Sequence, residues 1–271
     1  MLDNHRHPHW QKTLPTMYDL PSEDPEEPGL PDQFHDLQPT LLATTFQSPL
    51  YPEHQRLIAK DLNLYYDVRH TNWYKRPDWF LVLNNEAFGR QEDLRLSYLI
   101  WQEGIAPFLV VELLSPGTES EDLGQTLRDV NRPPTKWQVY EQMLRVPYYA
   151  IYDRYENKFR VFRLDGVRYQ EQDLTDNRFW FEELQLGLGR WQGRYEQFEG
   201  LWLRWYDAAG NWIPTPTERV EQERQSAERE RERAQQERER AEQAEANLLE
   251  ERRKREALLQ RLQEMGIDLE C

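Results

Sequence analysis

Cysteine is almost absent from the 271 residues: the one present, Cys271, is the last. That excludes an intrachain disulfide framework and a cysteine-built zinc site. Long hydrophobic runs are missing as well, since no stretch approaches the eighteen or so apolar residues of a membrane helix. The opening MLDNHRHPHWQKTLPTMYDLP has no short apolar segment of the secretory kind. These absences predict a cytoplasmic protein without a membrane partner. Positive charge is also scarce, with 34 Lys and Arg against 49 Asp and Glu and a net charge of -15. Nucleic-acid binders usually carry a basic field, because neutralising phosphates releases counterions. An acidic chain that handles DNA must therefore be locally basic at its site or use a divalent metal.

The content that remains is 38% apolar and 13% aromatic, with 10 Trp and 14 Tyr. That supports one sizeable core but not clearly two. A mean hydropathy of -0.96 then has to come from polar segments outside it.

Residues 1–42 are rich in proline and acids, as in DLPSEDPEEPGLPDQFHD, and are expected to be disordered. Within them His5, His7 and His9 read as solvated side chains, and Met17 is an alternative start. The texture changes near Tyr51. In PEHQRLIAKDLNLYYD, Leu57, Ile58, Leu62 and Leu64 lie at near-helical spacing and Pro52 suits a first turn, which predicts a helix. WFLVLN, opened by Asp78, reads as a buried strand. FLVVELLS reads as another, over Phe108 to Leu114, with Glu112 in its middle. In PPTKWQVYEQML, Thr135 is the expected N-cap of a helix whose first turn holds Lys136.

YYAIYD then predicts a strand ending at Asp153, which reads as a turn residue. FRVFRL predicts a half-exposed strand, and Asp165-Gly166 a hairpin into VRYQEQ. LWLRWYD and NWIP form a second hairpin candidate. Helices and strands mix, so residues 43–216 are expected to form an α/β domain, a mixed-sheet core with a hairpin extension.

Residues 217–266 contain few breakers and are dominated by Glu, Arg, Gln and Ala, which predicts one long charged helix. ERERAQQ is followed at once by ERERAEQ. Val220, Ala227, Ala234, Ala241, Leu248 and Leu262 share a heptad phase that Arg255 interrupts, and Leu258 and Met265 add a second seam. A solvated single helix with many Glu–Arg pairs and a coiled coil making a homo-oligomer both fit.

Glu112 is the most informative residue. A charged carboxylate left unpaired in a core costs several kcal/mol, so it faces a polar cleft or binds something positive. Asp78 opens the preceding strand. Two carboxylates on adjacent strands suit a hard divalent cation such as Mg2+, which takes oxygen ligands and keeps waters. Lys136 is the natural lysine to orient a water or stabilise a phosphate in flight.

The series RPDWFLVLN, LVVELLSPGTE, a Lys-x-x-x-Tyr helix and YYAIYD resembles the Uma-two family of restriction-endonuclease-like proteins in the PD-(D/E)XK superfamily. The likeness runs from Phe46 to Pro216 and includes GLWLRWYDAAGNWIPTP. A charged helical tail is common in cyanobacterial members. The resemblance implies a restriction-endonuclease-like fold, Asp78 and Glu112 as metal ligands, and Lys136 as a catalytic residue. It places Ser115 and Tyr140 beside the substrate and makes Glu53, with His54 as a weaker neighbour, an additional acid for the metal. One departure stands out: the superfamily's usual lysine position, two residues after the strand glutamate, holds Leu114. The insertion GQTLRDVNRPP also precedes Lys136. The implied activity is metal-dependent hydrolysis of phosphodiesters in DNA. A scaffold that keeps the fold without catalysis and assembles through its helix is the alternative, and a carboxylate-pair glycosidase a third reading.

Overall fold

The computed structural model describes residues 14–15, 33–85, 94–114 and 132–264. His5, His7, His9, Met17 and Ser115 lie outside them. Two compact units are present, Met1–Ile213 and Pro214–Cys271.

The first unit is organised around a six-stranded mixed sheet. It contains β1 (Arg56–Lys60), β4 (Trp79–Leu83), β6 (Leu109–Leu113), β7 (Tyr148–Asp153), β8 (Lys158–Asp165) and β9 (Arg168–Glu171), in the order β1-β4-β6-β7-β8-β9. β6 and β7 run parallel and every other neighbouring pair is antiparallel. The parallel pair requires a crossover, and helix α3 lies within it. α3 spans Lys136–Gln138 and continues as a π-turn over Val139–Met143. A small sheet of β2 (Leu64–Tyr65), β3 (Tyr74–Lys75) and β5 (Tyr98–Leu99) precedes the short helix α2 (Ile100–Glu103). A third, antiparallel sheet comprises β10 (Arg178–Phe181), β11 (Leu186–Tyr195) and β12 (Phe198–Tyr206).

Strand alternation divides the core into two layers. Trp79, Leu81, Leu109, Val111 and Leu113 face one side and pack with Leu188, Leu203 and Trp205 of the third sheet. Phe80, Val82 and Val110 face the other side and pack with Val139 and Tyr140 of α3. With both faces covered, β4 reads as an unbroken apolar run, and β6 and β7 are broken only by Glu112 and Asp153.

Two local expectations are corrected. The segment predicted as a helix after Pro52 forms a short 3₁₀ turn over Glu53–Gln55 and then β1. Leu57 and Ala59 face the α3 layer while Ile58 faces the opposite one, an alternation that five residues can hide inside an apparent helical period. Residues 33–42, placed by composition in a disordered segment, belong to helix α1 (Gln33–Thr45). Phe34, Leu41 and Leu42 are buried, and the buried Gln38 side chain brackets Leu203. It donates to the Leu203 carbonyl and accepts from its N–H, both at 2.8 Å. Trp205 Nε1 donates to the Leu42 carbonyl at 3.0 Å. These bonds anchor α1 to β12, and composition alone does not reveal them.

The second unit is dominated by helix α4 (Pro216–Glu264), 49 residues without an aromatic side chain. Thr215 caps it in a reciprocal box: its N–H donates to Glu218 Oε2 at 2.8 Å, and its hydroxyl accepts from the Glu218 N–H at 3.2 Å. Within the described residues, no helix is long and apolar enough to cross a membrane.

Candidate active site

Glu112 sits in the middle of β6 with no exposed surface. Flanking residues cannot neutralise it, because Val110, Val111, Leu113 and Leu114 are all apolar. Two side chains of α3 do. Lys136 Nζ donates to Glu112 Oε2 at 3.0 Å, and the Tyr140 hydroxyl donates to Oε1 at 2.8 Å. Four residues apart, they lie on one helical face and take one carboxylate oxygen each.

The start of α3 is fixed locally. Thr135 Oγ1 accepts from the Gln138 N–H at 3.2 Å, and Gln138 Oε1 accepts from the Thr135 N–H at 3.0 Å. This capping box aims the first turn, and with it Lys136, at the sheet. The π-turn follows directly, with the Leu144 N–H bonded to the Val139 carbonyl at 2.9 Å.

Asp78 approaches from β4. The pairing Trp79↔Val111, continued by one step, sets Asp78 opposite Glu112. Its Oδ2 accepts the Leu113 N–H at 2.6 Å. The carboxylate thus takes the place of a strand carbonyl where the β4–β6 ladder ends. Its Oδ1 has no hydrogen-bond partner among the described residues.

Asp78, Glu112 and Lys136 are thus brought together, and Lys136 reaches the strand despite the insertion before it. Leu114, at the superfamily's usual lysine position, is buried and apolar. Two expectations are corrected. Glu53 does not join the acids: it lines a groove with Ala43, Arg56, Ile58 and Lys60, on the face covered by α1. Its neighbour His54 is exposed beside it. Among the described residues no group of three or more His, Cys, Asp or Glu is placed to hold a metal. Tyr140, expected to touch substrate, is fully buried and spends its hydroxyl on Glu112, so it is a positioning residue. Asp153 is the turn residue it resembles, its Oδ1 accepting the N–H groups of Tyr155 and Glu156 at 2.8 and 3.0 Å.

A second polar cluster escaped the sequence reading. Asp67 accepts from Arg69 Nε at 3.1 Å and lies 2.9 Å from His70 Nδ1, while the His70 ring stacks on Trp73 at 3.9 Å. Burial alone would raise the Asp67 carboxyl, but the hydrogen bonds from Arg69 and His70 outweigh it and hold it at about 2. The only signal in the sequence was the spacing of Asp67, Arg69 and His70.

The sequence matches the model of the Uma2 family, described as "Putative restriction endonuclease", over residues 8–193. That is more than half of the chain. The protein belongs to the Uma2 family. Its fold is accordingly of the restriction-endonuclease-like α/β kind. No curated protein matches the sequence. Among solved structures, one titled a putative nuclease belonging to DUF820 from Anabaena variabilis ATCC 29413 aligns at 14% identity. The alignment covers 58% of this chain and 76% of that one, with a TM-score of 0.38.

Proposed function

We propose that this Uma2 chain is a divalent-metal-dependent endonuclease that hydrolyses phosphodiester bonds in DNA. One observation carries the reading: the buried strand carboxylate Glu112 has Asp78 as its cross-strand neighbour and a lysine bonded to it. A core acid that served packing alone would be replaced at little cost by an apolar side chain. Membership of a family described in terms of restriction endonucleases supports the same chemistry.

The donor set fits a hard cation. Mg2+ takes only one or two protein carboxylates and keeps its remaining waters. Asp78, through its Oδ1, and Glu112 would hold it. Once bound, the ion would polarise the scissile phosphate and make a coordinated water more acidic. Lys136, tethered at one end of the carboxylate pair, sits where an ammonium can offset charge developing on the phosphate. Tyr140 keeps Glu112 in a single orientation from below.

The E112Q variant tests this reading on supercoiled plasmid in magnesium. Cleavage should fall by at least about 10³-fold while the near-UV spectrum of the first unit is retained. Undiminished cleavage by E112Q would sink the assignment. A non-catalytic scaffold is favoured by one feature, that Lys136 and Tyr140 already satisfy both Glu112 oxygens. Calorimetric titration with magnesium separates the two: the nuclease reading requires binding that E112Q weakens, and the scaffold requires none.

A further inference from the structure

Helix α4 is exposed on all sides over residues 219–261, yet its second half carries leucines, with Leu248 53% and Leu258 60% exposed. Their arrangement has an internal symmetry about Arg253. Glu251 is matched by Arg255, Leu248 by Leu258, and Ala244 by Leu262. In one heptad frame Leu248, Arg255 and Leu262 occupy a positions, while Ala244, Glu251 and Leu258 occupy d positions.

In an antiparallel two-helix pair, each a residue packs against a d residue of the other strand. With the twofold axis crossing the seam at the level of Arg253, every a position of this segment meets its matched d position. Leu248 meets Leu258 of the second copy, and Leu262 fills the space beside the small Ala244. Arg255 meets Glu251, and the symmetry makes this charge pair twice. The parallel arrangement stacks Arg255 on Arg255 and Glu251 on Glu251, leaving like charges layered inside the seam. Desolvated like charges are costly, whereas opposite ones set the register.

We propose that α4 pairs antiparallel with a second copy of this chain through residues 244–262, with Glu251 and Arg255 as the residues that select orientation. Arg252 and Lys254 then face their own copies at the rim, where solvent and salt screen the repulsion. At 1.5 Å per residue, the first turns of the two α4 helices lie about 110 Å apart. A parallel pair would hold them side by side.

Cross-linking of the full-length chain, with Cys271→Ser as the background, tests the proposal. Light scattering should give twice the mass of one chain. The double variant L248C/L258C should form covalent dimers on mild oxidation, while L248C alone and L258C alone should not. R255E should weaken the dimer by about tenfold or more. The variant E251R/R255E, which restores opposite charges, should recover it. These substitutions sit on an exposed helix, so the near-UV spectrum of the first unit provides a folding control. A chain that stays monomeric at its highest soluble concentration overturns the proposal. So does cross-linking by either single cysteine variant, which reports parallel packing.

Discussion

Glu112 and Lys136 are coupled through burial. The carboxylate is wholly enclosed and the lysine side chain only 17% exposed, so removing the ammonium leaves a charge in a weakly polarisable core. K136M should therefore destabilise the fold by about 3–5 kcal/mol in urea titrations. The double variant E112Q/K136M should regain most of that loss while remaining inactive. Recovery without activity would separate the pair's structural contribution from its chemical one. Asp67 yields a pH prediction. Its carboxyl is held at about 2 in the fold against an ordinary 3.8, so the proton binds more readily to the unfolded chain. The stabilisation is complete above pH 3.8 and is lost as pH falls through about 2. D67N should flatten the acid limb of a fluorescence-detected stability profile across that window.

At the scale of the element, the site depends on a cap. Thr135→Ala removes one acceptor and frees the first turn of α3, at a cost of about 1 kcal/mol. The cut in cleavage should exceed what that loss of stability explains, because Lys136 and Tyr140 both depend on the same turn. Thr135→Ser should restore both stability and rate. Tertiary spacing makes β11 equally intolerant. A Cβ on Gly187 would overlap the Tyr206 ring, so G187A must displace a buried aromatic and should lower the melting temperature.

Elements with strong local signals were legible in the sequence. β4, β6 and β7 announced themselves as apolar runs, α3 by its prolines and Thr135, and the β8–β9 hairpin by Asp165-Gly166. There Gly166, at φ +58, takes the first central position of the turn. Segments whose partners lie far along the chain were not legible. α1 depends on Gln38 bonding to Leu203, β1 is too short for its period to be decisive, and the glycines of β11 disguised a long strand. Within the site, the acids and the lysine could be read from spacing. The Leu113 N–H that receives Asp78, and the second oxygen of Glu112 that occupies Tyr140, required the fold.

The whole molecule divides into two units of contrasting chemistry. Met1–Ile213 is compact, while Pro214–Cys271 is dominated by a single charged helix. A chain ending after Pro214 should keep a cooperative melt within a few degrees of the full-length protein, because the bonds that fix α1, the three sheets and the candidate site all lie within the first unit. Its cleavage should persist and its self-association should vanish, as gel-based assays and light scattering would report. The net charge of -15 adds a condition at this scale. DNA must approach an acidic particle, so cleavage should rise as moderate salt screens the repulsion before counterion competition lowers it.

The absence of aromatic residues from α4 has a practical side. All 10 Trp and 14 Tyr lie at or before Trp212, whereas most of the described helical residues belong to α4. Two optical signals of one sample therefore report on separate units. Indole emission follows the sheets and their site, and ellipticity at 222 nm follows the helix. Heating or dilution that unpairs the helix will change the second signal and leave the first unmoved, so assembly and folding can be timed independently without a label.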